Sequence, residues 1–242
     1  MYTKRFEGRK FDEIRKIEAK VGVIPRADGS AYFKIGNTCA YAAVYGPRNL
    51  YPKFLQDPEK GILRCNYNMM PFSGKGERVR PGSSRRSREI SLVTENALLP
   101  VLNLDEYPNS VVDVFIEFPQ TESGSRCAGI CAASMALADA GLLMKDLVAA
   151  VSVGRVDDKL VIDLDSDEEG YEDGPVADIP VATMPNSDKI TLLQMDGLIK
   201  KEQLVELLGM AKKACKDICN IQKKALKDKY KIEKKAIGEE NE

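Results

Sequence analysis

The chain has 242 residues, a formal net charge of −1 from 36 Lys and Arg against 37 Asp and Glu, and 43% apolar residues. These fractions, at this length, describe a globular protein with ample core. The chain has no histidine, which excludes Ser-His-Asp and Cys-His catalysis, imidazole proton shuttles and histidine-ligated metals. Any chemistry must therefore use carboxylates, Arg, Lys, Ser and hard cations.

In chain order, Ala19 to Ile24, Ala31 to Ile35 and Thr38 to Tyr45 read as strands, separated by turn signals such as Asp28-Gly29-Ser30. Together they predict an antiparallel meander. Arg48 to Gly61 reads as a long loop, and Ile62 to Met70 as a fourth strand. A helix is expected from about Ser87 to Val101, with Ile90, Val93, Ala97, Leu98 and Val101 at helical spacing. An apolar strand from Val111 to Phe118 follows, then a helix of small residues ending near Gly141. In the second part, Leu147 to Val156 and Lys159 to Leu164 read as a hairpin, and Val176 to Met184 with Lys189 to Met195 as another strand pair. Lys201 to Tyr230 is amphipathic, with Leu204, Leu207, Leu208, Ala211, Cys215, Ile218, Ile221 and Leu226 on its inner face. The last residues form a charged tail. Strands followed by helices, twice over, predict an α/β (α+β) protein of two similar halves with a long C-terminal helix. The expected division is an N-terminal segment over 1–14, a first half over 15–144, a second half over 145–230 and a tail over 231–242.

The most informative local pattern is the strand-turn-helix around Gly124-Ser125-Arg126. Free backbone N–H groups and the positive end of a helix dipole emerge there, beside a hydroxyl and a guanidinium fork. That combination suits an anion. The helix that follows, CAGICAASMALADA, has almost no bulky polar residue, so burial is expected. A plain helix cap with a solvated arginine is the simpler reading of the same residues.

Charge is unevenly spread. Basic residues crowd Lys75 to Arg88, and acidic ones crowd Asp157 to Asp178. Basic residues beside glycine and serine suit a polyanion. The acidic block would repel one unless it holds a divalent cation. Six cysteines without a C-x-x-C pair read as buried, reduced thiols. The charged N-terminus lacks the core of a signal peptide, and no apolar run reaches the ~18 residues of a membrane span. A cytoplasmic protein with no membrane partner is expected.

The segments GRKFDEIR, ADGSAYFKIGNT, AAVYGPRNLYPK, PFSGKGERVRPGSSRRSREIS, SGSRCAGICAASMALADAGLLMKDLV and ITLLQMDG together resemble the RNase PH family. Within it they resemble the catalytic ring subunits of the archaeal exosome. The resemblance implies the RNase PH fold (ribosomal protein S5 domain 2-like) with mixed sheets. It also implies a phosphorolytic 3′-to-5′ exoribonuclease in which inorganic phosphate, the co-substrate, releases nucleoside diphosphates from single-stranded RNA 3′ ends. The reaction reverses into RNA tailing. The implied partners are a related inactive subunit in a hexameric ring and a cap of RNA-binding proteins.

Residue by residue, Gly124, Ser125 and Arg126 match the family's phosphate-binding turn. Arg85 and Arg86 match the pair that holds the RNA 3′ end. Arg48 and Lys53 fall in the loop that grips RNA at the ring neck. Asp178 matches a carboxylate that supports the general acid or holds Mg2+. For a second carboxylate, Asp173, Glu172 and Glu169 remain open, and Asp173 is favoured for the catalytic and metal roles. Ser84 departs from relatives that often carry Asp there. The alternatives to an active exosome subunit are an inactive ring subunit that only binds RNA and a stand-alone tRNA-trimming enzyme.

Overall fold

A computed structural model describes residues 2–75 and 78–239. The first sheet begins with β1 (Ile17–Val21), β2 (Gly29–Ile35) and β3 (Thr38–Asn49), the expected antiparallel meander. β4 (Ile62–Met69) and β5 (Ser110–Gln120) complete it in the order β1-β2-β3-β5-β4. β5 runs antiparallel to β3 and parallel to β4. A parallel neighbour needs a crossover, and α1 (Arg85–Leu98) supplies it. β3 is longer than expected: a register shift between Tyr45 and Arg48 takes the strand past Pro47, which has no N–H to give to a ladder. Arg48 therefore lies at the end of a strand, one residue before its last, instead of opening a loop.

The small-residue helix is α2 (Ser125–Asp139). The second sheet holds β6 (Ala149–Val156), β7 (Lys159–Ile162), β8 (Val176–Met184), β9 (Lys189–Leu193) and the short β10 (Asp196–Gly197). Its order is β10-β8-β6-β7, with β9 also on β8. All its pairings are antiparallel, so only the first sheet is mixed.

A single-turn helix, α3 (Ser166–Glu169), interrupts the acidic loop. Asp165 caps it, and Glu168 closes a capping box. Four residues give no periodicity to read, so only this Asp-to-Glu spacing marked it. The last helix, α4 (Lys201–Glu239), continues past Tyr230 into the expected tail, whose Lys, Glu and Ala are good helix formers. Residues 240–242 of that tail lie outside the described residues, as do residues 76 and 77 of the basic block.

The packing explains the composition of α2. It touches β2, β3 and β5 on one side and β6 and β8 on the other, so it lies between the sheets. Cys127 through Leu137 are all buried. A helix with a sheet against each face has no solvent side, and only small side chains let two sheets approach one cylinder. The approach is tight at the far end of α2 as well, where a Cβ on Gly29 would run into the backbone of Ala136 and Ala140. α4 runs beside α2 against β6, β7 and β8 and reaches β1, and its Gln222 Nε2 donates to the carbonyls of Cys131 and Val148. The buried apolar residues of both halves merge into one core cluster.

Candidate active site

β5 ends at Gln120, and four residues later Gly124 adopts φ 68° as the residue before α2. That left-handed backbone suits glycine. It turns the first amides of α2 outward with no side chain capping them. Ser125 is nearly buried, and the Tyr67 hydroxyl donates to its Oγ at 2.8 Å. Burial pushes the Tyr67 phenol above its ordinary range, so it keeps that proton. Ser125 thus accepts from Tyr67 and still has its own proton to donate. Arg126 has a buried Nε with no partner, and its Nη2 stands 3.9 Å from Glu89. The turn therefore offers unused donors on an amide, a hydroxyl and a guanidinium.

Across the cleft lie carboxylates. β8 places Asp178, whose Oδ1 accepts from the Ser152 hydroxyl of neighbouring β6. Burial pushes the Asp178 carboxyl above the usual carboxylate range and Asp196 adds to the rise, while Ser152 and Arg126 pull it back. Glu169, the last residue of α3, lies 2.6 Å from the Ser123 hydroxyl. Burial raises Glu169 too, with Ser123 opposing and the charge of Asp178 contributing. Two carboxyls pushed upward by burial and by acidic neighbours hold a proton more tightly than free carboxylates do, and when ionised they face a cation with little water to compete.

These groups face one cleft of about 210 Å³, lined among others by Arg86, Ser125, Arg126, Glu169, Asp178 and Asp196. A second cleft of about 360 Å³ shares Arg86, Thr121, Glu122 and Glu169 with it and continues toward Lys75, Arg80 and Ser84. Together they make a groove that enters along the basic loop and ends at the Gly124-Ser125-Arg126 turn.

The structure therefore gathers Gly124, Ser125, Arg126, Arg86 and Asp178. It does not bring in Asp173, which is exposed and outside the lining; the carboxylates that share the cleft with Asp178 include Glu169 and Asp196. The reason is α3, which uses up chain between β7 and β8 and turns Glu169 inward. Arg85 is exposed and also outside the cleft, because successive helical residues point about 100° apart and only Arg86 faces in. Arg48 and Lys53 lie on another surface. Arg48 shares Asp113 with Arg64 and stacks over the Tyr45 ring, while Lys53 opens an exposed 3₁₀ turn. Sequence reading missed Tyr67, Ser123, Ser152 and Asp196. Asp196 reaches the site because β10 pairs it with Asp178, a contact with no local signature.

Among the described residues no group of three or more Asp, Glu or Cys could hold a metal ion by itself. Asp178 and Glu169 nonetheless fit the sparse kind of Mg2+ site, in which one or two carboxylates are completed by water and substrate phosphates.

A family profile described as 3′ exoribonuclease family, domain 1, matches residues 13–142, and one for domain 2 of the same family matches residues 146–214. The chain belongs to the RNase PH family of 3′ exoribonucleases. Among the relatives of this RNase PH-family chain, the exosome complex component Rrp41 of Thermococcus gammatolerans is 52% identical over 215 residues, covering 89% of this chain and 85% of that protein. The Rrp41 of Methanopyrus kandleri is 49% identical over 212 residues, covering 88% and 87%. In fold, the chain is similar to rice Rrp46, with a TM-score of 0.81 at 21% identity over 92% of this chain and all of that one. It is also similar to a chain of the Archaeoglobus fulgidus exosome with RNA bound to the active site, with a TM-score of 0.75 at 24% identity over 89% and 91%.

Proposed function

We propose that this RNase PH-family exoribonuclease is the catalytic ring subunit of an exosome, and that it cleaves RNA from the 3′ end with inorganic phosphate. The observation that carries the reading is the single cleft with a helix terminus and its free donors on one wall and two carboxyls shifted upward by burial on the other. Relatives named Rrp41 at about half identity over most of the chain support the exosome setting.

In this reading phosphate sits on the free amides of α2, with Ser125 and Arg126 donating to its oxygens. Arg86 holds the terminal phosphodiester of the RNA, and a guanidinium fork matches two phosphate oxygens better than an ammonium would. A phosphate oxygen attacks the last phosphorus, the new P–O bond forms, and the bond to the 3′ oxygen of the penultimate nucleotide breaks. The proton needed by that leaving oxygen is assigned to Asp178, whose carboxyl burial shifts upward. The products are a nucleoside diphosphate and an RNA shorter by one, and the reverse reaction extends RNA. Glu169 takes the place of the second acidic residue. Ionised, Asp178 and Glu169 would instead hold Mg2+, which would neutralise charge at the leaving oxygen in place of the proton. Positioning and electrostatics suffice for such transfers, so the absence of histidine is no obstacle.

Arg85, Arg48 and Lys53 lie outside the cleft, so we assign them to the RNA path leading to it, as sequence-independent backbone contacts. A related inactive subunit in the ring and RNA-binding cap proteins complete the proposed assembly. Six free, buried thiols support a reducing, cytoplasmic setting. No described helix is long and apolar enough to cross a membrane.

The deciding experiment mixes the subunit with its ring partner and supplies oligo(A). Shortening that requires phosphate and yields ADP is the expected result. AMP as product, or indifference to phosphate, would overturn phosphorolysis.

A further inference from the structure

Glu169 depends on α3, and a four-residue helix cannot hold itself in place. Its anchor lies far away in sequence. Arg5 is almost wholly buried, and its fork closes on Glu168, with Nε to Oε1 at 2.6 Å and Nη2 to Oε2 at 2.6 Å. The remaining donors reach the carbonyls of Ile162 at 2.8 Å and Asp163 at 2.7 Å, with longer bonds to Lys10 and Glu13. The Tyr2 hydroxyl adds a bond of 2.6 Å to Glu168. Arg15 holds the start of the same acidic segment. It holds Asp163 bidentately at 2.8 and 2.7 Å, with its own backbone N–H on the same carboxylate, and extends Nη2 to the Ser123 carbonyl at 3.4 Å. Asp163 needs this hold, since its backbone is left-handed at φ 56°.

We infer that the N-terminal segment is a strap that assembles the cleft, and that Arg5 and Arg15 are positioning residues for the reaction. Glu168 and Glu169 are neighbours on one turn, so gripping the first aims the second at Ser123. Arg15 joins the start of the acidic segment to the last residues before the phosphate turn. The two walls of the site are thus set at a fixed distance by one piece of chain that touches neither substrate. Arginine is required at position 5 because its planar fork spends five donors on carboxylate and carbonyls together, whereas lysine has three and no plane.

The inference rests on the proposed phosphorolysis, so the wild-type ring is assayed first. A wild-type ring without phosphate-dependent turnover would fail that reading and not this one. Against an active wild type, Arg5→Lys and Glu168→Gln are compared with Leu207→Ala, a buried position of α4 away from the cleft. The strap predicts that both strap variants lose kcat roughly 10- to 100-fold, with KM for phosphate and RNA within about twofold. It also predicts that Leu207→Ala keeps its kcat at an assay temperature where all three remain folded. Strap variants with unchanged kcat, or an equal kcat loss in Leu207→Ala at equal loss of melting temperature, would reduce the strap to ordinary stability.

Discussion

The two walls of the cleft are built in opposite ways. The phosphate wall comes from one uninterrupted stretch: β5, a turn and α2, with Gly124, Ser125 and Arg126 consecutive in the chain. The acidic wall is collected from α3, β8 and β10, and held by residues near the N-terminus. A helix terminus binds an anion through its own amides and needs little beyond its place in the core. A pair of buried carboxyls needs outside partners to fix its geometry and proton affinity. Distant change should therefore disturb the acidic wall more than the phosphate wall.

The largest expected effect comes from Asp178→Asn. Removing the proton donor should cut turnover roughly 100- to 10,000-fold while RNA retention on a filter stays near normal. Normal degradation by this variant would take Asp178 out of the chemistry. Next, Glu169→Gln should lower kcat about 10- to 100-fold, while the exposed Asp173→Asn stays within about twofold of wild type. The opposite ranking would return the second acidic role to Asp173. On the phosphate wall, Arg126→Lys should act mainly on KM for phosphate, raising it about tenfold through loss of the fork; a pure kcat effect would place Arg126 on the RNA instead.

A smaller effect concerns stability and has the opposite sign. Folding raises the Asp178 carboxyl, so the folded state binds its proton more tightly than the unfolded chain does. That contribution is present at low pH and lost as pH rises from the ordinary carboxylate range through the raised folded value. Asp178→Asn should therefore raise the melting temperature at pH 7, by about 2–4 °C for each kcal/mol recovered, and the gain should shrink below the ordinary carboxylate range. Differential scanning calorimetry across pH checks this, and a variant less stable at pH 7 would contradict it.

The same contrast governs what the sequence could reveal. The phosphate wall was legible because a glycine, a hydroxyl and an arginine stand in register after an apolar strand, and because α2 announces its burial by composition. The meander and α4 were legible through turn residues and helical spacing. The acidic wall was legible only in part: Asp178 was named, but for the second carboxylate Asp173, Glu172 and Glu169 stayed open and Asp173 was favoured, since nothing in the spacing shows that α3 turns Glu169 inward. Arg5 and Arg15 read as surface charge near a terminus, because their partners lie 148 to 163 residues away. Asp196 and Ser152 enter through strand pairing, which local pattern does not encode. Arg85 and Arg86 read as an equivalent pair until helix geometry separated them.

The position of α2 between the sheets has a consequence for dissecting the protein. Sequence divides the chain near residue 144, and each side resembles a domain. Cutting there would strip the second sheet from a helix whose residues Ile130 to Leu137 are solvent-free, leaving one fragment with a bare apolar wall and the other with the matching face. Neither should be soluble alone, and mixing purified halves should not restore the cleft unless they fold together. The shared helix makes the two-part pattern a record of topology, not of independent parts.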